Sequence, residues 1–188
     1  MKRLESGVVR EVVPERGDQG VPRWSPDGSA LVAWDHSFEP GAIFVIHRAP
    51  DDRWSRPAWK LTGAQLPVWA PDGRTIAFVT PEGRVEAVAR DSGATRVLYA
   101  PRPGSDDPRA TYLAWDAGRG ELWLLAHTPS GKSGVWSLPI AGGGPRLVVD
   151  FTDDLGRLNG PTLTSDGRRL YFTLDERRGN VWLAELVK

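Results

Sequence analysis

Four features of the 188-residue chain carry side chains whose type and spacing could do chemistry. Ala126-His127-Thr128-Pro129-Ser130-Gly131-Lys132-Ser133 follows a relaxed phosphate-loop spacing, with alanine in the first glycine's place. A phosphate cradle needs its loop to run into a helix whose first amides hold the anion. Here Gly134-Val135-Trp136-Ser137-Leu138 follows and reads as a strand, so a hairpin turn is expected. Asp35-His36-Ser37-Phe38-Glu39-Pro40-Gly41 alternates oxygen-bearing side chains as calcium loops do, but it lacks their downstream bidentate acid. A plain inter-strand loop is the expectation there. Arg16-Gly17-Asp18 matches the integrin-binding tripeptide within a stretch that must turn anyway. The carboxylate pairs Asp106-Asp107, Asp153-Asp154 and Asp175-Glu176, with Arg109, Arg157, Arg177 and Arg178 close by in sequence, are the most useful polar feature.

Other chemistries lack their parts. Without cysteine there is no thiolate nucleophile, no disulfide framework and no Cys-based zinc site. The three histidines, His36, His47 and His127, are isolated from one another in sequence. No G-x-S-x-G elbow is present to carry a serine nucleophile. The expectation is a non-catalytic chain without cofactor or metal. Charges balance, with 24 basic and 24 acidic side chains, which argues against nucleic-acid binding by bulk electrostatics. No window holds the roughly 20 apolar residues that span a bilayer, and Met1–Val13 has no apolar core of a signal peptide. Compartment stays unassigned, extracytoplasmic if the chain is part of a longer exported parent.

What positions these groups is a repeat. Arg23-Trp24-Ser25-Pro26-Asp27-Gly28 and the apolar run after it line up with Val68-Trp69-Ala70-Pro71-Asp72-Gly73. A looser copy is Ala114-Trp115-Asp116-Ala117-Gly118, and a fourth, Leu163-Thr164-Ser165-Asp166-Gly167, keeps the turn and loses the tryptophan. Equivalent positions 24, 69, 115 and 164 stand 45, 46 and 49 residues apart, the length of one four-stranded propeller blade. Proline presets the first turn dihedral, Asp tolerates the next position, and glycine takes the left-handed one, so each copy is a hairpin. With 21 glycines and 16 prolines the apolar residues fall in short runs between breaks, and helical spacing is absent.

The strands are placed near 21–24, 30–35, 42–48 and 57–62; 66–69, 75–80, 84–90 and 95–100; 111–115, 120–127, 134–139 and 145–150; and 161–164, 169–174 and 180–186. The chain thus reads as an all-β, single-domain propeller over 1–188, with four four-stranded antiparallel blades at about 20–63, 64–108, 109–158 and 159–188. The last blade is one strand short. A β-branched stretch at 6–13 either completes that blade and clasps the ring, or is the tail of a preceding blade in a longer parent.

Trp-Ser-Pro-Asp-Gly followed by an apolar strand resembles the WD40-like repeat of TolB-type β-propellers, and the resemblance covers nearly the whole chain. Leu170–Thr173 through Asn180–Leu186 is similar to the last blade of the propellers that close the extracytoplasmic sensor region of bacterial receptor Ser/Thr kinases. Those propellers carry more blades than the four repeats here. The resemblance implies a binding or sensor module. The loops that join blades and the loops between second and third strands emerge on one face of a propeller, around the channel mouth. That places His36, Glu39, Asp106, Asp107, Arg109, Asp153, Asp154, Arg157, Asp175, Glu176, Arg177 and Arg178 on a candidate binding face, set against a solvated rim of screened ion pairs. A protein, peptide or small polar ligand at that mouth is the expected partner, with neither nucleic acid nor membrane insertion. Alternatives are a structural half-propeller used in assembly or gating, a homodimer completing a ring, and the accessory propeller of a hydrolase. Trp24, Trp69 and Trp115 are expected to pack between blades, and Trp54 and Trp59 to make exposed contacts.

Overall fold

The computed structural model describes residues 19–37, 39–51, 53–55, 59–116, 118–152, 163–174 and 180–185. The first sheet is β1 (Gln19–Trp24), β2 (Ala30–Asp35), β3 (Ala42–His47) and β4 (Lys60–Thr62), in that spatial order. The second is β5 (Gln65–Trp69), β6 (Thr75–Val79), β7 (Val85–Ala89) and β8 (Thr95–Tyr99). The third is β9 (Arg109–Asp116), β10 (Glu121–His127), β11 (Ser133–Pro139) and β12 (Arg146–Asp150). The fourth has three described strands, β13 (Leu163–Ser165), β14 (Arg169–Leu174) and β15 (Asn180–Glu185). Every pairing is antiparallel between sequence neighbours, so each sheet is a meander, and the described residues contain no helix. The expected strand at 6–13 lies outside them. Of the strand expected at 57–62, residues 60–62 are strand and 57 and 58 lie outside the described residues; an isolated bridge joins Arg48 to Trp54.

The repeat is exact in register. Trp24 pairs with Leu31, Trp69 with Ile76, Trp115 with Leu122 and Thr164 with Tyr171. Each turn is closed by a carboxylate capping the amides beyond it. Asp27 accepts from Ser29 N at 3.0 Å, Asp72 from Arg74 N at 2.8 Å, and Asp166 from Arg168 N at 2.8 Å. In the third copy the proline is gone and Asp116, one residue after Trp115, accepts from Gly118 N at 2.9 Å and Arg119 N at 3.1 Å. Buried beside it, Trp123 donates its indole N–H to the other oxygen of Asp116 at 3.1 Å. Gly28 and Gly73, with φ of 68° and 64°, take the left-handed place that the turn demands.

Prolines 22 and 67 stand inside the inner strands, where a ladder position would normally reject them. Both fall at bulges. Register slips between Gly20 and Arg23 in β1 and between Gln65 and Val68 in β5. A bulge leaves residues outside the ladder and increases local twist, so the missing N–H costs nothing there.

Three apolar clusters fill the spaces between sheets. Ala30, Val32, Ile43 and Val45 of the first sheet meet Trp69, Ile76, Phe78 and Val88 of the second. Ala77, Val79 and Val85 meet Leu113, Leu122, Leu124, Trp136 and Leu138. Tyr112, Trp123, Leu125 and Val135 meet Leu163, Leu170 and Phe172 of the fourth. Sheets stacked face to face in chain order, with β1, β5, β9 and β13 innermost, make a β-propeller of four blades. Phe44 and Ile46, on the face of the first sheet turned away from the second, are each 1% exposed, so this end of the array is covered as well.

Two hydrogen bonds set the height of one blade against the next. Trp69 Nε1 donates to the Arg23 carbonyl at 2.9 Å, and Trp115 Nε1 donates to the Val68 carbonyl at 3.3 Å. In both, the acceptor is the residue just before the tryptophan of the preceding blade. Arg90 lies over Trp69, 6.0 Å from the ring centroid, and donates to the Gly73 carbonyl at 3.3 Å. Trp69→Phe keeps most of the ring and removes one donor, so it should cost about 1 kcal/mol. Trp69→Ala also opens a cavity and should cost about 3–5 kcal/mol. Trp24→Phe, which breaks no hydrogen bond to a described residue, should change stability by less than about 0.5 kcal/mol. Urea unfolding of the three variants checks this ranking.

Candidate functional site: the two ends of the channel

Because every sheet is a meander, its loops alternate between two faces. Residues 36, 37 and 39–41 (between β2 and β3), 80–84, 128–132 and the blade-to-blade connection at 100–108 share one face. Two contacts tie that face together. Ser130 donates through its amide at 2.8 Å and its hydroxyl at 2.7 Å to the carboxylate of Asp106. The Gln65 amide donates to the Pro40 carbonyl at 3.0 Å. The phosphate-loop look-alike is a hairpin turn in which His127 pairs with Ser133 and Gly131 has φ 96°.

His36, Glu39, Asp106, Asp107 and Arg109 therefore lie on the same face, while Asp153, Asp154, Arg157, Asp175, Glu176, Arg177 and Arg178 lie outside the described residues. The two described carboxylates of a pair are already engaged. Asp106 is held below its usual pKa first by the Ser130 hydroxyl and then by the Ser130 amide. Asp107 receives Arg102 Nε and Nη2, both at 2.9 Å, together with the Arg102 amide, and the guanidinium contact is the largest reason its pKa falls far below the ordinary range. Each carboxylate shapes its own loop. Arg109 and Glu39 are exposed, and Arg109 packs its stem against Gly83, where a Cβ would come within 2.5 Å. His36 stacks on Trp34, with ring centroids 3.6 Å apart. Beside it Asp35 is buried and takes Lys60 Nζ at 2.7 Å and the Ser37 amide at 2.9 Å. Burial pushes Asp35 upward, but the Lys60 and Ser37 hydrogen bonds outweigh it and hold the pKa at about 2. Among the described residues no three His, Asp or Glu side chains gather as metal ligands would.

The opposite end of the channel is built differently. Beside the β1–β2 turn, a cavity of about 530 Å³ opens among Arg23, Trp24, Pro26, Val68, Trp69, Tyr112, Leu113, Ala114, Trp115, Leu163 and Thr164. Its walls come from all four innermost strands. Arg23 Nη2 reaches across from the first blade to donate to Tyr112 Oη of the third at 2.5 Å. The tryptophans expected between blades divide here. Trp69 is 8% exposed and Trp115 half-buried, but Trp24 is 40% exposed and packs at a tilt of 54° against Trp54, with ring centroids 5.5 Å apart. Trp59, expected as an exposed contact, instead packs against Gly93 and donates its indole N–H to the Arg90 carbonyl at 2.7 Å. It belongs to the seam between the first two blades. Arg23 and Tyr112 stand 89 residues apart, and only the repeat register, which sets residues 23 and 114 at equivalent levels, hinted that β1 and β9 face one channel.

No protein-family model and no curated protein matches the chain. Solved structures do. A puromycin-hydrolyzing peptidase of Mycobacterium tuberculosis superposes with a TM-score of 0.66 at 17% identity, over 95% of this chain and 28% of that one. A chain of the mitotic checkpoint complex gives 0.61 at 17% identity over 89% and 50%, and TolB of Acinetobacter baumannii gives 0.51 at 12% over 93% and 53%. The chain spans from about a quarter to about half the length of these proteins.

One acid-sensitive contact follows from this geometry. Asp35 titrates at about 2 when folded and near its ordinary 3.8 when unfolded, so its contribution is complete above about pH 4 and is lost as the pH falls through 4 toward 2. Melting temperatures from pH 6 to pH 2 should fall less steeply in Asp35→Asn than in the parent. Equal slopes would remove Asp35 from the acid response. At the level of architecture the likeness to peptidase, checkpoint and TolB structures agrees with the sheets and their register: the chain folds as a β-propeller.

Proposed function

We propose that the chain is a non-catalytic binding module, of the sensor or recognition kind, whose partner engages the channel. The observation that carries this reading is the cavity at the β1–β2 end. Its volume, about 530 Å³, lies within the range of roughly 300–1,000 Å³ typical of ligand pockets. Its lining has the usual composition of such pockets, with aromatic rings for area and one cation for orientation. On the other face, exposed Glu39 and Arg109 offer a polar rim, and the partner is a protein, a peptide or a small polar ligand. The likeness to TolB and to the TolB-type repeat supports a recognition role, by fold analogy.

A second reading, a segment of a larger wheel or the accessory propeller of a hydrolase, draws support from the peptidase likeness and from the share of those chains that is covered. The buried Phe44 and Ile46 weigh toward an array that is covered without a partner. Light scattering coupled to size exclusion should therefore give a 20.6 kDa monomer with cooperative unfolding. A thermal-shift screen of peptides and small aromatic and polar compounds should find ligands that raise the melting temperature, as any ligand of the folded state alone must. Trp24→Ala should abolish those shifts while lowering the unliganded melting temperature by only a few degrees. A screen with no responder would overturn the binding reading, and a stable dimer would favour the larger wheel.

A further inference from the structure

Resting on the binding reading, we infer that the cavity is a site for a planar aromatic ring bearing an N–H donor, an indole or its close equivalent, seated where the fourth tryptophan of the repeat is missing. The repeat states what belongs there. Trp69 reaches back to the carbonyl of residue 23, and Trp115 to the carbonyl of residue 68. At the next step the tryptophan position is Thr164 and the equivalent acceptor is Ala114. Register makes the equivalence strict, because Thr164 pairs with Tyr171 across its hairpin as Trp69 pairs with Ile76 and Trp115 with Leu122. Ala114 likewise pairs with Trp123 as Val68 pairs with Ala77.

A threonine side chain is far too short to span that gap. Thr164 is exposed, and both it and Ala114 border the cavity. The hole thus has the place of an indole, and Ala114 beside it occupies the position whose carbonyl receives one in the two preceding blades. Its other walls suit a flat ring. Trp115 and Tyr112 stand on the third blade's side, and Trp24, turned toward Trp54, stands on the first blade's side. Aromatic rings pair in offset or edge-on fashion, which these walls allow. Arg23, bonded to Tyr112, supplies a cation at the rim for a ligand that also carries a carboxylate or carbonyl. Filled this way, the seam between the third and fourth blades, joined by Ser165 Oγ donating to Asp116 at 3.4 Å, would gain the indole-to-carbonyl bond of the two preceding seams.

The test uses the whole chain, with indole and N-acetyltryptophanamide as probes and 1-methylindole as the analogue without the donor. Calorimetry should show one site for indole or for the amide, and about tenfold weaker binding of 1-methylindole, the cost of one net hydrogen bond. Tighter binding of the amide would make the source a tryptophan side chain of a peptide, and tighter binding of indole a free small molecule. Thr164→Trp should fill the hole from within, raise the melting temperature by a few degrees and abolish probe binding. Thr164→Ala, which leaves the hole open, should bind as the parent does. Equal affinity for indole and 1-methylindole would overturn the inference without any variant, so a misfolded Thr164→Trp leaves it falsifiable. Undiminished binding to a folded Thr164→Trp would overturn it too. Should the thermal-shift screen find other ligands while indole and the amide both fail, this site falls and the binding reading stands.

Discussion

The contact on which this propeller depends is an indole N–H given to an inner-strand carbonyl of the blade before it. Burial of Ile43, Val45, Ile76 and Phe78 between sheets supplies most of the free energy, but it has no direction. Two flat apolar faces would tolerate sliding by a residue. The bonds from Trp69 to Arg23 and from Trp115 to Val68 remove that freedom, since each fixes one blade's height to a single carbonyl of its neighbour. A buried indole also hides about 150–250 Å², so the residue that sets the register is the one that gains most from being in register. Arg90 adds a second restraint at the first seam, lying over Trp69 and bonding to the Gly73 carbonyl of its own turn and to Ser29 Oγ of the preceding blade.

Placing that indole requires a turn of fixed length directly after it, which is where the aspartates act. Asp27, Asp72 and Asp166 each sit inside the turn and cap the amides beyond it. The third copy shows that the requirement is for a carboxylate at the turn, not for a particular tripeptide. With Pro-Asp-Gly absent, Asp116 moves to the turn's first position, still caps two amides, and gains the Trp123 indole. Its side chain is fully buried and Arg119 stands 4.0 Å away, so this acid is locked into the third blade's core in a way its exposed counterparts are not.

The architecture was legible because repetition multiplies a weak signal. One Trp-x-Pro-Asp-Gly is a turn, whereas two such copies and two looser ones at spacings in the forties give strand order, register and the level of each indole. Hairpin ends such as Ala30–Asp35 and Arg169–Leu174 lie where the alternation placed them. What the sequence could not convey is which group answers which. Asp106 and Asp107 look like a free acidic pair in one dimension, but Ser130 and Arg102 have claimed them, one from 24 residues away. Trp59 reads as an exposed aromatic, but it is drawn into the first seam by a carbonyl 31 residues distant. Arg23 and Tyr112 meet across the channel with nothing in either neighbourhood to announce it. Side chains that answer a backbone rule can be read from sequence, and those that answer a distant partner cannot.

The two ends of the channel accordingly differ in what they have left to give. At the end where the blades connect, Asp106 and Asp107 spend their hydrogen-bonding capacity on holding loops, and Glu39 and Arg109 are exposed to screening solvent. Ion pairs formed there are worth little. At the other end, the run of repeat tryptophans is broken at Thr164, and the break falls between walls that the other copies keep in place. An apolar gap held open by a rigid frame cannot collapse to recover its lost contacts, so a ligand entering it gains area without first ordering the protein. Recognition at this propeller is therefore better sought where its sequence breaks the pattern than where its charges cluster.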